Sequence, residues 1–359
     1  MTPLIYLAHF PKLTRTRFNQ IKSGFLNMAD WQKWEFTDLK RVGWDDQIIS
    51  EYLTWREQNS IEKITMALEK ANLQTLAITD PNYPPLLAQI PDAPIALFYR
   101  GTIPSPEKPT VAVVGTRRCT SYGEQATHNL TKSLAEHGLV IVSGLAFGID
   151  GVAHKATLEA KGITVAVLGT CVIKEKISPA SHQYLAEKII AEGGAVLSEY
   201  TPDAFISKAN FPMRNRIIAG LSLGTLVTEA PVQSGALITA RLALDYNREV
   251  FAVPQPLNSE RGAGCNELIK LGARLTTTSE DILDTLNIRR EESALTQNTL
   301  PLLSEKENKI YTTLKLEAKT ADAIIRDTQL PSSEINGILT ILEIKGLIKK
   351  MDGAAYTRI

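Results

Sequence analysis

Val111-Ala112-Val113-Val114-Gly115-Thr116-Arg117-Arg118-Cys119-Thr120-Ser121-Tyr122-Gly123 is the stretch whose reading decides the fold. Four small β-formers read as a buried strand. Gly115 lets the chain turn sharply and approach a ligand closely. Ser121 is placed to cap a helix running from about Tyr122 to His137, with Gly138 at its C′ position. Strand, glycine turn and helix point free backbone N–H groups at an anion. Two arginines, Arg117 and Arg118, sit inside this turn. An ordinary strand–helix connection with solvated arginines is the competing reading, because the full GxGxxG fingerprint is absent.

Outward from that unit, residues 110 to about 286 alternate strand and helix. The predicted strands are Val111–Val114, Leu139–Ser143, Ile163–Leu168, Ala195–Ser198, Leu223–Thr228 and Glu249–Val253, with helices such as Gly151–Lys161 and Ser234–Asn247 between them. Such alternation implies an α/β fold: a parallel sheet with helices on both faces. Ligands then gather at the carboxyl ends of the strands. After the second strand come Ser143-Gly144-Leu145-Ala146-Phe147-Gly148-Ile149-Asp150, with Asp150 read as an N-cap and His154 as a packed histidine. After the fourth come Phe205, Lys208, Phe211, Pro212, Arg214 and Arg216, with no acid between Asp203 and Glu229. The expected helix here begins near Arg214, where basic residues oppose the helix dipole unless an anion is present. Cation and aromatic in one loop suit single-stranded nucleic acid, phosphate on the charge and base on the ring. Solvated charges around a core-anchoring Phe211 are the alternative. Ser234-Gly235 opens a further helix with Thr239, and Gly262, Gly264 and Asn266 read as a turn before a helix Glu267–Leu271.

The flanks read differently. Residues 1 to about 80 suggest short helices, with Trp31, Trp34, Trp44 and Trp55 filling a small core. Lys12-Leu13-Thr14-Arg15-Thr16-Arg17 reads as surface charge or as a phosphate-touching hairpin. Residues 81 to 109 are proline-rich and predict a stiff, extended connection, with Ile95–Tyr99 as a docking strand. A polar linker over 287–303 leads to three helices, Ser304–Leu316, Thr320–Asp327 and Ser332–Lys345. A hairpin turning at Asp352-Gly353 follows, which together make a winged-helix domain.

The chain has 359 residues and a formal net charge of zero, so a nucleic-acid surface must come from local clustering. Cys119, Cys171 and Cys265 form no CxxC pair, and neither a metal nor a cofactor is expected. Without a signal peptide or bilayer-length apolar run, a cytoplasmic setting is expected.

Taken together, these motifs resemble one family: the bacterial DNA-processing protein A, DprA, also called Smf. The resemblance rests on Val113-Val114-Gly115-Thr116-Arg117, Ser143-Gly144-Leu145-Ala146 with Gly148-Ile149-Asp150 and His154, and Ser198-Glu199-Tyr200. It continues through Phe211-Pro212, Arg214-Asn215-Arg216-Ile217-Ile218-Ala219-Gly220, Glu229-Ala230, Ser234-Gly235 and Gly264-Cys265-Asn266 with Leu268-Ile269 and Gly272-Ala273. It implies an extended Rossmann-like core that binds single-stranded DNA, dimerises, protects incoming DNA and loads the RecA recombinase during natural transformation. The expected DNA-binding residues are Gly115, Arg117, Ser143, Gly144, Lys208, Phe211, Arg214, Arg216, Ser234 and Gly235. Arg117, Lys208 and Phe211 match strand-binding positions of the family. Where the family usually carries Gly-Leu-Asp and Tyr-Pro, this chain has Gly169-Thr170-Cys171-Val172-Ile173-Lys174-Glu175-Lys176, in which Lys174 and Lys176 can substitute. The reading is a binding protein rather than an enzyme. The alternative is a ribohydrolase with Glu229 as general acid/base behind Gly224-Thr225. The glycine pair such enzymes carry is replaced by Leu221, Ser222 and Leu223.

Overall fold

The structure, a computed structural model, describes residues 2–24, 28–288, 303–314, 319–345, 347–351 and 355–358. Two compact units emerge, 1–289 and 290–359.

The first unit is built on a nine-stranded sheet. Its strands are β1 (Gln74–Ala77), β2 (Ala96–Gly101), β3 (Thr110–Val114), β4 (Val140–Ser143), β5 (Thr164–Val167), β6 (Ala195–Ser198), β7 (Gly224–Val227), β8 (Glu249–Ala252) and β9 (Arg274–Leu275). Their order is β1-β2-β6-β5-β4-β3-β7-β8-β9. The strands from β6 to β9 run parallel. The chain steps from β3 outward through β4, β5 and β6, then returns to place β7 on the other side of β3. The crevice at β3 and β7 is therefore a topological switch point.

Val111 and Val113 pack on one face of the sheet, while Ala112 and Val114 pack on the other. A two-residue period with both sets buried requires helices on both sides. On the face of Val111 lie α7 (Ser121–Glu136), α8 (Ile149–Glu159), α9 (Gln183–Ala191) and α13 (Ser279–Thr285). On the face of Ala112 lie α6 (Pro85–Ala88), α10 (Asn210–Gly220), α11 (Gly235–Asp245) and α12 (Ala263–Lys270).

Several boundaries move from their sequence expectation. Thr120, not Ser121, caps α7, its hydroxyl accepting from Gly123 N–H at 3.1 Å. Gly148 stands at the N-cap of α8, which moves Asp150 into the first turn. Helix α10 starts at Asn210 instead of Arg214, because Pro212 lies in its first turn, where no N–H is needed. Asn266 belongs to α12 rather than to a turn, and its amide clamps the backbone of Gln255 at 3.0 Å on both sides.

Helices α1 (Pro3–Leu7), α2 (Arg15–Gly24), α3 (Phe36–Arg41), α4 (Asp46–Gln58) and α5 (Ile61–Lys70) form the amino-terminal part. Trp31, Trp34 and Trp44 are buried with Tyr6, Phe10 and Tyr52 in one aromatic core. That core closes on Ala77, Ala96 and Phe98, so the antiparallel edge of the sheet is its floor. The proline-rich stretch is not merely extended. It contributes α6, which starts on Pro85, and Leu87 and Ile90 pack against Gly220 of α10. The basic segment is not a hairpin, since Arg15 to Arg17 begin α2; Lys12 pairs with Glu51 of α4 at 2.5 Å and Arg17 donates to Lys12 O at 2.8 Å.

The second unit holds α14 (Glu305–Thr313), β10 (Lys319–Thr320), α15 (Ala321–Thr328), α16 (Ser332–Ile344), β11 (Ile348–Met351) and β12 (Ala355–Arg358). The strands order as β10-β12-β11 over a core that includes Ile310, Ile324, Leu339 and Ile348. The predicted linker over 287–303 and the Asp352-Gly353 turn lie almost wholly outside the described residues.

Candidate nucleic-acid interface

A cleft of about 290 Å³ opens at the carboxyl ends of β3 and β7. Its floor begins at Gly115. A Cβ there would stand 2.5 Å from Ile149 Cγ1 and 2.7 Å from Glu229 O, so the turn closes only with glycine. Thr116 N–H donates to Glu229 O at 2.7 Å, which seats the arginine turn against the loop after β7.

That turn presents Arg117 to solvent, with its guanidinium carbon 5.8 Å from the centroid of the Phe211 ring. Phe211 is half-buried in the first turn of α10 and packs beside Gly169. A cation and an aromatic 94 residues apart in sequence (211 minus 117) therefore share one wall. The other walls are the start of α10 and the start of α11. Ser234 caps α11, accepting from Ala236 N–H at 3.2 Å, and Gly235 leaves open space where a side chain would stand. Neither helix carries an acid in its first turn. The positive ends of two helices thus meet at one cavity, where the first turn of α10 includes Pro212 and Ala236 N–H is used by the Ser234 cap.

Arg214 forms part of this wall and is 4 % exposed. Its Nη1 donates to Gly144 O at 2.6 Å and to Val167 O, joining α10 to the ends of β4 and β5. Burial pushes its pKa down to about 10, and Asp150 opposes that fall. Arg214 is charged at neutral pH. Asp150 is itself raised by burial, against the pull of Arg214 and of the Ala146 and Gly144 backbone. Asp150 also lines the cleft and acts on Arg214 through the buried interior, with no salt bridge between the two, and Arg117 is the exposed cation at the opening.

The ten residues singled out from the sequence separate here. Gly115, Arg117, Phe211, Arg214, Ser234 and Gly235 line the cleft. Lys208 is exposed on the loop before α10, outside the lining. Ser143 and Gly144 lie beneath the cleft. Ser143 Oγ donates to Val113 O at 2.7 Å, and the Arg214 guanidinium covers Gly144. Arg216 points the other way. It pairs with Glu199 and lies 3.3 Å from Asp92, which in turn accepts from Tyr246 OH at 3.0 Å. It anchors α10 to the proline-rich segment. Lys176 donates to Pro202 O at 2.7 Å, joining the loops after β5 and β6, while Lys174 is exposed.

Sequence reasoning missed Asp150 as the buried counter-ion and Asn215, whose amide donates to Gly235 O at 3.2 Å across the cleft. Thr239 is also a lining residue; its four-residue spacing from Gly235 is the signal that sets both on one helix face. Glu229 is fully buried, its two oxygens each accepting from Thr120, from N–H and from Oγ–H, at 2.8 Å. Burial, not the count of its hydrogen bonds, keeps this carboxylate from solvent. His154 is buried with its Nδ1 2.7 Å from Thr164 Oγ1, as a packed histidine should be. Among the described residues, no group of three His, Cys, Asp or Glu side chains is arranged for a metal ion. None of their helices is long and apolar enough to cross a membrane.

Residues 74–287 match the DNA recombination-mediator protein A family, and residues 294–354 match the DprA winged helix domain. The chain belongs to the DNA recombination-mediator protein A family. Within this family, Protein Smf of Escherichia coli K12 is 44% identical over 229 residues, covering 64% of this chain and 61% of that protein. The crystal structure of DNA processing protein A from Streptococcus pneumoniae matches with a TM-score of 0.67 and 34% identity, over 79% of this chain and 98% of that one. The DNA processing protein A of Helicobacter pylori, whose structure concerns its single-stranded DNA binding mode, matches with a TM-score of 0.51 and 32% identity. That match covers 60% of this chain and 95% of the other. The stretches on which the sequence resemblance rests, Gly115 to Arg117 and Phe211, Pro212 and Arg214, line the cleft.

Proposed function

We propose that this protein binds single-stranded DNA in the cleft at β3 and β7 and performs no chemistry on it. The observation that carries the reading is the convergence of Arg117, Phe211 and two acid-free helix starts on one opening. Phosphate is held by Arg117 and by the positive ends of α10 and α11, through the Phe211 and Gly235 N–H groups. A base stacks on Phe211, which is sequence-tolerant because every base has a π-face. Lys208 supplies charge at the approach. Arg214 holds the cleft wall through main-chain carbonyls, with Asp150 buried in the same lining, and Arg216 anchors α10 on its far side. The Helicobacter relative supports the strand as ligand.

In the cell the protein works in the cytoplasm as a homodimer, guards incoming single strands during natural transformation and hands them to the RecA recombinase. A dimer doubles the few phosphate contacts that one neutral protomer supplies. The test is fluorescence anisotropy with oligo-thymidine and with a duplex across a salt series. Arg117→Ala and Lys208→Ala each lower the slope of log K against log salt by about 0.7. Equal affinity for single strand and duplex, or binding untouched by both substitutions, defeats the proposal.

A further inference from the structure

The rim of the cleft does not stop at Arg117. Arg118 follows it in the turn and is exposed, with its N–H bound to Thr116 Oγ1 at 3.2 Å. Its carbonyl accepts from Arg261 Nη1 at 3.3 Å. Arg261 comes from the loop between β8 and α12, 143 residues further along the chain. The base of that loop is pinned: Gln255 Nε2 donates to Thr228 O at 2.7 Å, and Asn266 holds the Gln255 backbone. Neither Arg118 nor Arg261 forms an ion pair among the described residues, and Arg261 is exposed. The acids nearest in the chain are Glu260 beside Arg261 and Glu124 in the first turn of α7. Glu229 lies buried behind them on Thr120, so the exposed groups of this rim are three arginines and two carboxylates.

A single hydrogen bond between two arginine residues is informative. It holds two exposed guanidinium groups from distant loops in one place on the rim. The donor is fixed by one nitrogen, which leaves the rest of the guanidinium fork for a planar, bidentate acceptor such as phosphate.

We propose that Arg118 and Arg261 form a second phosphate subsite, so that the strand leaves the cleft across the β8–α12 loop. The inference rests on the cleft being the single-strand site. It gives the strand a direction: in from Lys208 after β6, over Phe211 and Arg117, and out over β8, perpendicular to the sheet strands. From β6 to β8 the sheet takes five steps in the order β6-β5-β4-β3-β7-β8. At about 4.8 Å a step this is about 24 Å. Phosphates spaced no closer than about 3.4 Å limit the track to about seven nucleotides per protomer.

The experiment compares oligo-thymidines of about four and about fifteen nucleotides on the full chain. Arg118→Ala combined with Arg261→Gln removes both charges, while the side-chain amide introduced by the second substitution keeps a donor for the carbonyl of residue 118. The salt slope on the long oligonucleotide falls by about 1.4, two phosphates at about 0.7 each. Binding of the short one, held by the cleft alone, stays within twofold. An unchanged thermal midpoint shows that the turn remains folded, and Arg118→Ala alone lowers the long-oligonucleotide slope by about 0.7. A double variant that binds the long strand with the wild-type slope overturns the subsite, while Arg117→Ala, run alongside, reports on the cleft itself. Equal loss on both oligonucleotides also overturns it, because it places these arginines inside the cleft site.

Discussion

Arg214→Met tests whether the cleft wall is held by a buried charge. The guanidinium is 4 % exposed and bonds two main-chain carbonyls, Gly144 O and Val167 O, beside the Asp150 carboxylate. Met fills much of the same volume without a donor, so the loss is electrostatic rather than a cavity. Each charge-assisted hydrogen bond contributes about 1.5–3 kcal/mol. Asp150, which forms no salt bridge with Arg214, also loses its attraction to that charge. The two main-chain bonds set the expected loss at about 4 kcal/mol. Urea unfolding followed by near-ultraviolet circular dichroism reads it directly. Tryptophan emission serves as a second probe, since all four tryptophans lie between 31 and 55 and report on the amino-terminal helices. Coincident transitions license a single free energy. The decisive arm is the double variant with Asp150→Asn. With the carboxylate neutralised, part of the loss returns, so the double variant is more stable than the sum of the singles predicts. An Arg214→Met loss below about 1 kcal/mol refutes the idea that this buried charge supports the wall, and simple additivity with Asp150→Asn refutes its coupling to Asp150.

Phe211→Ala removes the stacking face and should weaken oligo-thymidine by about 1–3 kcal/mol, read by anisotropy, with the salt slope unchanged because no charge is lost. A changed slope points to a shifted Arg117 instead. His154→Asn bears on acid stability. Burial pushes the His154 pKa down to about 3 from an ordinary 6.5, so below about pH 6.5 the unfolded chain binds a proton that the folded chain refuses. Stability therefore falls as the pH drops from about 6.5 towards 3, by about 2 kcal/mol at about pH 5. The asparagine variant should lose that part of the slope in thermal melts, and an identical slope excludes His154 as its source. Glu229→Gln sets an amide donor against a Thr120 donor and should cost about 1–3 kcal/mol in urea. Neither the wild type nor this variant should release free base from adenosine monophosphate in a chromatographic assay. Release by the wild type that the substitution abolishes restores the ribohydrolase reading.

The alternating core was legible because its signals are local. Val111 to Val114 has to be covered on both faces, glycines and caps punctuate each unit, and the observed strands fall within a residue of the expected ones. The tail helices were legible for the same reason, Ser304 and Thr320 being capping residues that start α14 and α15. Strands β1 and β9 left little trace. They are four and two residues long, and only their pairing partners make them strands.

The sequence by itself determined which residue types crowd the carboxyl ends of the strands: glycines that permit close approach, arginines without nearby acids, and a phenylalanine at a helix start. Their division of labour was decided by tertiary structure. Arg214 and Arg216 stand two positions apart on α10, about 200° around its axis, so one faces the cleft wall and the other Glu199 and Asp92. Asp150 and Glu229 carry the same charge in the sequence, yet one neutralises a buried guanidinium and the other receives Thr120. Arg118 and Arg261 become neighbours only because β3 and β8 end at the same edge of the sheet. A charge acts through whatever lies within a few ångströms of it, and in a parallel sheet those neighbours come from loops far apart in the chain.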